Sequence, residues 1–185
     1  MEIGEIFKKL SDRMVSGVML HEQQADLFDF LNLHGYKRMS EYNAKCEMKS
    51  YRKIHRYYIN HYNKLIEEDV IENPNIIPMS WYKYARQDVD TNTKRTYVRE
   101  NVEKLYKWEK ETKELYENLY IEALDIGEAA AANKIMCLIH KVDKELKYVT
   151  RLHIDLVNVD YDFSYILGCQ QQMHDWYKER MYDKH

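Results

Sequence analysis

Apolar residues recur along most of the chain at alternating spacings of three and four positions. This spacing puts them on one face of an α-helix, with polar residues on the opposite face. The pattern predicts four long helices and a shorter fifth one. They cover about 5–33, 38–68, 96–126, 128–157 and 163–181. Only five glycines and two prolines, the residues least compatible with helices, interrupt the pattern, so we expect an all-α fold.

Two glycines and one long interruption predict how the helices are connected. Gly35 and Gly127 directly follow the first and third helices, and each indicates a tight turn between antiparallel neighbours. The pattern then fails from residue 69 to 95, a stretch that contains Pro74 and Pro78 and is long enough to cross a whole bundle. The sequence therefore predicts two helical hairpins, joined by this crossover, in a single domain of residues 1–185.

Acidic residues stand at positions where apolar ones are expected. Glu109 and Glu145 lie in the middle of the apolar faces of the third and fourth helices, and Glu47 lies on that of the second. On the first helix the pattern favours Glu22, with His21 beside it. A buried carboxylate is costly unless it is protonated, paired or bound to a metal ion, so these positions are candidates for a site.

The distances from the turns place these carboxylates at one height in the bundle. The predicted turn at Gly35 lies 13 residues after Glu22 and 12 before Glu47. The second turn lies 18 residues from both Glu109 and Glu145. Residues equally far from a turn face each other across a hairpin, because both helices rise by the same amount per residue. With a crossover that spans the bundle, all four carboxylates are expected to meet.

Four carboxylates that converge inside two hairpins with a long crossover resemble the di-iron or di-manganese site of the ferritin-like superfamily. The resemblance covers the first four helices and is carried mainly by Glu109, Glu145 and the short turn between them. It implies a ferritin-like four-helix bundle, with the short fifth helix added, in a homo-oligomer. It also implies two ions of iron or manganese, serving oxidase or ferroxidase chemistry or storage. The implied ligands are Glu22, Glu47, Glu109 and Glu145, with His21 in addition.

The sequence departs from the superfamily in one motif. Ferritin-like proteins carry Glu-x-x-His on the second and fourth helices, whereas here Ser50 follows Glu47 and Tyr148 follows Glu145 at that spacing. Two interpretations therefore stay open. In the first, the carboxylates bind the two ions. In the second, the chain is a metal-free ferritin-like scaffold, with no cofactor, that binds another protein or a nucleic acid.

Basic residues alternate with tyrosines on the second predicted helix. Lys49, Arg52, Lys53 and Arg56 recur about once per turn and are candidates for contacts with phosphate groups or nucleic acid. The same spacing is typical of the solvated face of an amphipathic helix. The formal net charge of −3 makes nucleic acid the less favoured partner and leaves a protein partner open.

Nothing in the sequence predicts export or insertion in a membrane. The first residues lack the basic start and apolar run of a signal peptide, and no stretch has the length of uncharged apolar residues that a span needs. Cys46, Cys137 and Cys169 are odd in number and far apart, which favours free thiols in a reducing compartment. We therefore expect a cytoplasmic protein.

Overall fold

Helices make up nearly all of the described chain. The computed structural model describes residues 2–67, 85 and 89–182, with side chains as far as Tyr177. The helices are α1 (Ile3–Phe30), α2 (His34–Tyr62), α3 (Thr91–Asp125), α4 (Ala129–Asn158) and α5 (Phe163–Tyr182). The prediction of an all-α fold is confirmed for these residues. Most of the predicted crossover, residues 69–95, lies outside the described residues.

The turn between α1 and α2 comes earlier in the chain than predicted. Asn32, and not Gly35, adopts the left-handed conformation that ends the first helix, with φ 60°. The amide of Leu33 donates to the carbonyl of Phe28 at 2.8 Å, and the amide of Asn32 donates to that of Asp29 at 3.0 Å. This pair of bonds is the Schellman arrangement, which asparagine can adopt because its short side chain tolerates the left-handed region.

Gly35 lies instead in the first turn of α2, where α5 approaches its backbone. A Cβ atom at this position would overlap the backbone carbonyl of Gln170. A glycine is therefore required here by the close contact between two helices, and not by the conformation of a turn.

The start of α3 also differs from the prediction of residue 96. Asp90 caps the helix by accepting a hydrogen bond from the amide of Thr93 at 2.7 Å, and the helix begins at Thr91. This segment is rich in Asp, Asn and Thr, which indicated a loop, but the same residue types favour helix caps. The turn from α3 to α4 lies at Gly127, as predicted, with φ 80°.

The apolar contacts give the directions of α1 and α3. Ile6 and Leu10, near the start of α1, share one cluster with Leu119 near the end of α3. Phe28, near the end of α1, shares a second cluster with Val98 near the start of α3. The two helices are therefore antiparallel, as a crossover along the length of the bundle predicts.

A set of polar side chains separates the two apolar clusters. We call this set the central polar layer. Its buried members include His21, Gln24, Asn43, Glu47, Ser50, Glu109 and Thr112, and its partly exposed members are Arg13, Lys141 and Glu145. Such a layer must satisfy its own charges and hydrogen bonds, because water has little access to it.

The fifth helix covers the outside of α2. It begins after Asp162, which accepts a hydrogen bond from the amide of Tyr165 at 3.0 Å. Near its other end the ring of Tyr177 packs against that of Tyr42 on α2, with centroids 5.3 Å apart. None of the helices in the described part of the chain has an apolar stretch long enough to span a bilayer.

Candidate functional site

Lys141 of α4 extends its ammonium group into the central polar layer and contacts α2. Its Nζ atom donates to the hydroxyl oxygen of Ser50 at 2.9 Å and to the carbonyl oxygen of Cys46 at 3.1 Å. The same atom lies 3.4 Å from Oε1 of Glu47 and 3.9 Å from Oε1 of Glu145. One cation thus joins two of the predicted carboxylates, which belong to two different helices.

The carboxylates keep Lys141 charged. Burial disfavours an ammonium, but the negative charges of Glu47 and Glu145 outweigh it and raise the pKa of Lys141. The side chain of Lys141 is 28 % exposed, and that of Glu47 is 10 % exposed. Water therefore screens this ion pair less than it screens one on the surface, and the attraction is correspondingly stronger.

Glu109 and Glu145 hold their protons more tightly than ordinary carboxyl groups. Glu109 is 3 % exposed, and burial raises its pKa well above the usual range, with further increases from Glu145 and Glu47. Burial also raises the pKa of Glu145 to about 7, although the charge of Lys141 opposes the shift. The side chain of Glu145 is 21 % exposed, so its burial is less complete than that of Glu109. Burial and the two neighbouring carboxylates thus favour the protonated form of Glu109 over the charged form.

Arg13 of α1 also belongs to the layer and contacts α3. Its guanidinium donates from Nε to the hydroxyl of Thr112 and from Nη2 to the carbonyl of Trp108, both at 2.8 Å. The same group lies 3.3 Å above the centroid of the Trp108 ring, which is a cation–π contact. The layer therefore contains two basic side chains beside three carboxyl groups.

Glu22 does not reach this layer, because it is exposed on α1. The shift of the turn to Asn32 changes which residues face each other across the hairpin. Glu47 lies 15 residues after Asn32, and Gly17 lies 15 residues before it. A Cβ atom on Gly17 would lie 3.2 Å from Cγ of Glu47. The position of α1 that faces Glu47 thus carries no side chain.

His21 is buried, but it forms part of a hydrogen-bonded chain. It is 1 % exposed, and its Nδ1 lies 3.3 Å from Oε1 of Gln24. The amide of Gln24 in turn donates to the carbonyl of Asn101 on α3 at 3.4 Å. Burial lowers the pKa of His21 to about 4, and the charge of Lys141 lowers it as well. The ring is therefore neutral at neutral pH and connects α1 to α3 through Gln24.

These residues do not fit the donor set of a di-metal centre. Such a centre needs carboxylates from all four helices, with histidines on two of them, and no competing cation. Here the Lys141 ammonium lies 3.4 Å from Glu47, while Ser50 stands at the histidine position and Gly17 offers no ligand atom. Within residues 2–67, 85 and 89–182, no group of three or more His, Cys, Asp or Glu side chains is placed to hold a metal ion.

The sequence reasoning missed both basic members of the layer. Lys141 lies one helical turn before Glu145 and next to the apolar Val142, a spacing at which an ion pair within the helix is expected. Arg13 precedes the buried Met14 in the same way. In both cases the sequence did offer a signal, which is a long basic side chain at the edge of an apolar face. The aliphatic part of such a side chain can pack against the apolar residues while its charge extends into the interior.

The basic residues predicted on α2 lie on its outer side. Lys49, Arg52, Lys53 and Arg56 are all exposed, and Lys45 is exposed one turn earlier. We call these five residues the basic face of α2. The only acidic residue in the same stretch is the buried Glu47. The face is about 17 Å long, at 1.5 Å per residue, and all five of its side chains are basic.

No model of a protein family matches the chain, and no curated protein sequence matches it. Solved structures do match it over most of its length. A humanized archaeal ferritin has a TM-score of 0.76 at 13 % identity, and the match covers 94 % of this chain and 97 % of that one. An open-pore ferritin of the hyperthermophilic archaeon Archaeoglobus fulgidus has a TM-score of 0.75 at 13 % identity, covering 92 % and 94 %.

A closed form engineered from the Archaeoglobus fulgidus ferritin is similar to the same degree, with a TM-score of 0.75 at 12 % identity and coverage of 94 % and 96 %. The predicted ferritin-like bundle is thereby confirmed as the fold of the chain. Because the identities are this low, the similarity concerns the fold, and the chemistry depends on the residues of the central polar layer.

Proposed function

We propose that the chain is a ferritin-like binding scaffold in which Lys141 supplies the central positive charge that metal ions supply in a di-metal protein. The observation that carries this proposal is the position of the Lys141 ammonium, 3.4 Å from Glu47 and 3.9 Å from Glu145. The raised pKa of Glu109 lowers the negative charge of the layer further, so that this arrangement needs no ion to balance it.

The alternative is a centre of two iron or manganese ions for oxidation or storage, and the similarity to ferritins supports it. A divalent ion beside Glu47 would have to displace the Lys141 ammonium, because two positive charges at that distance repel each other. Glu22, one of the four carboxylates first considered as ligands, is exposed on α1. The scaffold is therefore the function that the geometry supports better.

Metal retention separates the two functions. Protein purified without chelators is incubated anaerobically with ferrous iron and desalted, and the iron per chain is measured beside a ferritin as positive control. We expect no retention above background, for the wild type and for Glu109→Ala alike. Retention of about two ions per chain by the wild type, abolished in Glu109→Ala, would overturn the proposal in favour of the di-metal centre.

The basic face of α2 is the surface that we propose for partner binding. Arg52, Lys53 and Arg56 are exposed, and within the described part of the chain no carboxylate pairs with them. The whole chain has a net charge of −3, so acidic residues elsewhere outweigh this positive stretch. A short positive stretch on an acidic molecule suits an acidic protein segment better than a long polyanion, which the remaining surface would repel.

Charge reversal tests this surface. We expect poly-glutamate to bind the wild-type protein at low ionic strength, and Arg52→Glu with Arg56→Glu to remove that binding. The matched control is Lys107→Glu with Lys110→Glu, which makes the same change of charge on the exposed side of α3. Equal losses in both double variants would show a general charge effect and refute a specific surface. Stronger binding of double-stranded DNA than of poly-glutamate would refute the acidic protein as partner.

The proposal includes a homo-oligomer in a reducing compartment such as the cytoplasm. Ile154 and Val157 lie one turn apart on α4 and are each 50 % exposed, which supports self-association, as does the similarity to ferritins. Cys46, Cys137 and Cys169 are free thiols, as a reducing compartment requires. Light scattering of the purified protein should give a multiple of the mass of one chain, and the mass of a single chain would remove the oligomer from the proposal.

A further inference from the structure

A cavity of about 360 Å³ lies where α2, α4 and α5 meet. α5 packs along α2, whereas it reaches α4 through a few side chains. One of these contacts joins Trp176 of α5 to Tyr148 of α4, with parallel rings whose centroids are 6.0 Å apart. The space left between the helices has the volume of a small-molecule pocket.

Four of the residues that line this cavity are aromatic: Tyr42, Tyr148, Trp176 and Tyr177. Trp176 and Tyr177 of α5 meet edge to face at 4.3 Å, and Tyr42 of α2 lies 5.3 Å from Tyr177. Trp176 is 40 % exposed and Tyr148 is 36 % exposed, and both line the cavity. Planar aromatic molecules gain most from such walls, since they contact several rings at once.

Two ammonium groups line the same cavity, and their partners differ. Lys141, at the inner end, is compensated by Glu47 and Glu145. Lys144 is exposed, and within the described part of the chain no carboxylate forms an ion pair with it. Glu145 lines the cavity as well, and its carboxylate lies beside Lys141. Among the described residues, Lys144 is therefore the positive charge of this cavity that has no carboxylate partner, which favours an anionic ligand and opposes a cationic one.

We propose that this cavity binds a small aromatic carboxylate, with its ring among Tyr42, Tyr148 and Trp176 and its carboxylate on Lys144. The volume suits a ligand of about 10 to 20 non-hydrogen atoms. This site adjoins the ion pairs of Lys141, which lines the same cavity, but the charge that it uses belongs to Lys144. It includes none of the five residues of the basic face of α2. It adds a small-molecule ligand to a chain proposed above as a scaffold for macromolecules.

Calorimetric titration with indole-3-acetate tests the proposal. We expect saturable binding of one molecule per chain, with an affinity for indole-3-acetamide, which lacks the charge, that is about tenfold lower. Cyclohexylacetate, which keeps the charge but lacks the aromatic ring, should also bind more weakly. Lack of saturable binding of indole-3-acetate at millimolar concentration, or equal affinity for the acetate and the amide, would overturn the proposal.

Two lysine variants locate the site. Lys144→Gln should weaken the binding of indole-3-acetate about fivefold to tenfold, because it removes a charge-assisted hydrogen bond. Lys147→Gln is the matched control, since Lys147 is exposed on the same helix but does not line the cavity, and it should bind like the wild type. Equal affinities of the two variants would refute the site. Circular dichroism of both variants checks that the fold is unchanged.

Discussion

Replacing Lys141 with methionine removes its ammonium group but keeps an unbranched side chain of similar length. Three groups of α2 lose their contact with Nζ: the carboxylate of Glu47, the hydroxyl of Ser50 and the carbonyl of Cys46. Glu47 suffers most, because its side chain is only 10 % exposed and it is left as a buried charge. The variant therefore tests whether the ammonium group balances the layer.

The cost follows from the burial of the pair. Removing one partner of a fully buried ion pair costs about 3–5 kcal/mol. The Lys141 side chain is 28 % exposed, so water can partly replace its contacts, and we expect a loss of about 2–4 kcal/mol at pH 7. Adding Glu47→Gln should recover about 1–2 kcal/mol of this loss, because the charge that was left behind is removed.

Urea denaturation followed by circular dichroism measures these differences as changes in the free energy of unfolding. Lys113→Met is the matched control, since Lys113 is also partly exposed and pairs with Asp143 at 2.7 Å, but that partner is 33 % exposed. The free energy of unfolding should therefore fall much less in Lys113→Met than in Lys141→Met. If Lys141→Met were no more destabilising than Lys113→Met, or if Glu47→Gln made it worse, Lys141 would not be the balancing charge.

Three further outcomes can be checked. Because the pKa of Glu145 is raised to about 7, the folded state binds the proton of this group more tightly than the unfolded chain does. The contribution of this proton to the free energy of unfolding is therefore full below about pH 4.5 and is lost as the pH rises through 7. Between pH 5 and 8 the free energy of unfolding of Glu145→Gln should therefore rise by up to about 3 kcal/mol relative to that of the wild type. Urea denaturation that gives parallel pH profiles of this free energy for the two proteins would contradict the prediction. Gly35→Ala should detach α5, seen as faster amide exchange in that helix, because a Cβ atom overlaps the carbonyl of Gln170; unchanged exchange would refute the close contact. Asp90→Ala should fray the start of α3 without affecting α4, which amide exchange at Thr93 would show.

The fold could be predicted because the apolar periodicity is regular. The second turn could be placed because glycine is the residue type that adopts the left-handed conformation of Gly127 without cost. The first turn shows the limit of that reasoning. A left-handed residue was needed, and the sequence offered both Asn32 and Gly35 within three positions. Glycine is the more common choice, but Gly35 was required for the approach of α5, which no local pattern reveals.

The same three positions decide which residue of α1 faces Glu47. A turn at Gly35 pairs Glu47 with residues near Glu22, whereas the turn at Asn32 pairs it with Gly17. Glu109 was correctly expected in the interior, since it lies in the middle of the apolar face of its helix. The position of Lys141 beside an apolar face was a signal that fits two outcomes, because the ammonium group of such a lysine can extend outward or turn inward. The position of the neighbouring helix decides between them.

The ammonium group of Lys141 also selects one alignment of α2 against α4 among those that apolar contacts would permit. Leucine and isoleucine side chains can exchange neighbours at modest cost, so two apolar helices can slide by one turn, about 5.4 Å, and still bury their surfaces. Lys141 contacts Cys46, Glu47 and Ser50 within a single turn of α2. After such a slide it would face other side chains, and a buried carboxylate would be left without its cation. The polar layer thus penalises every shifted packing of the bundle, so that it contributes to the uniqueness of the fold as well as to its stability.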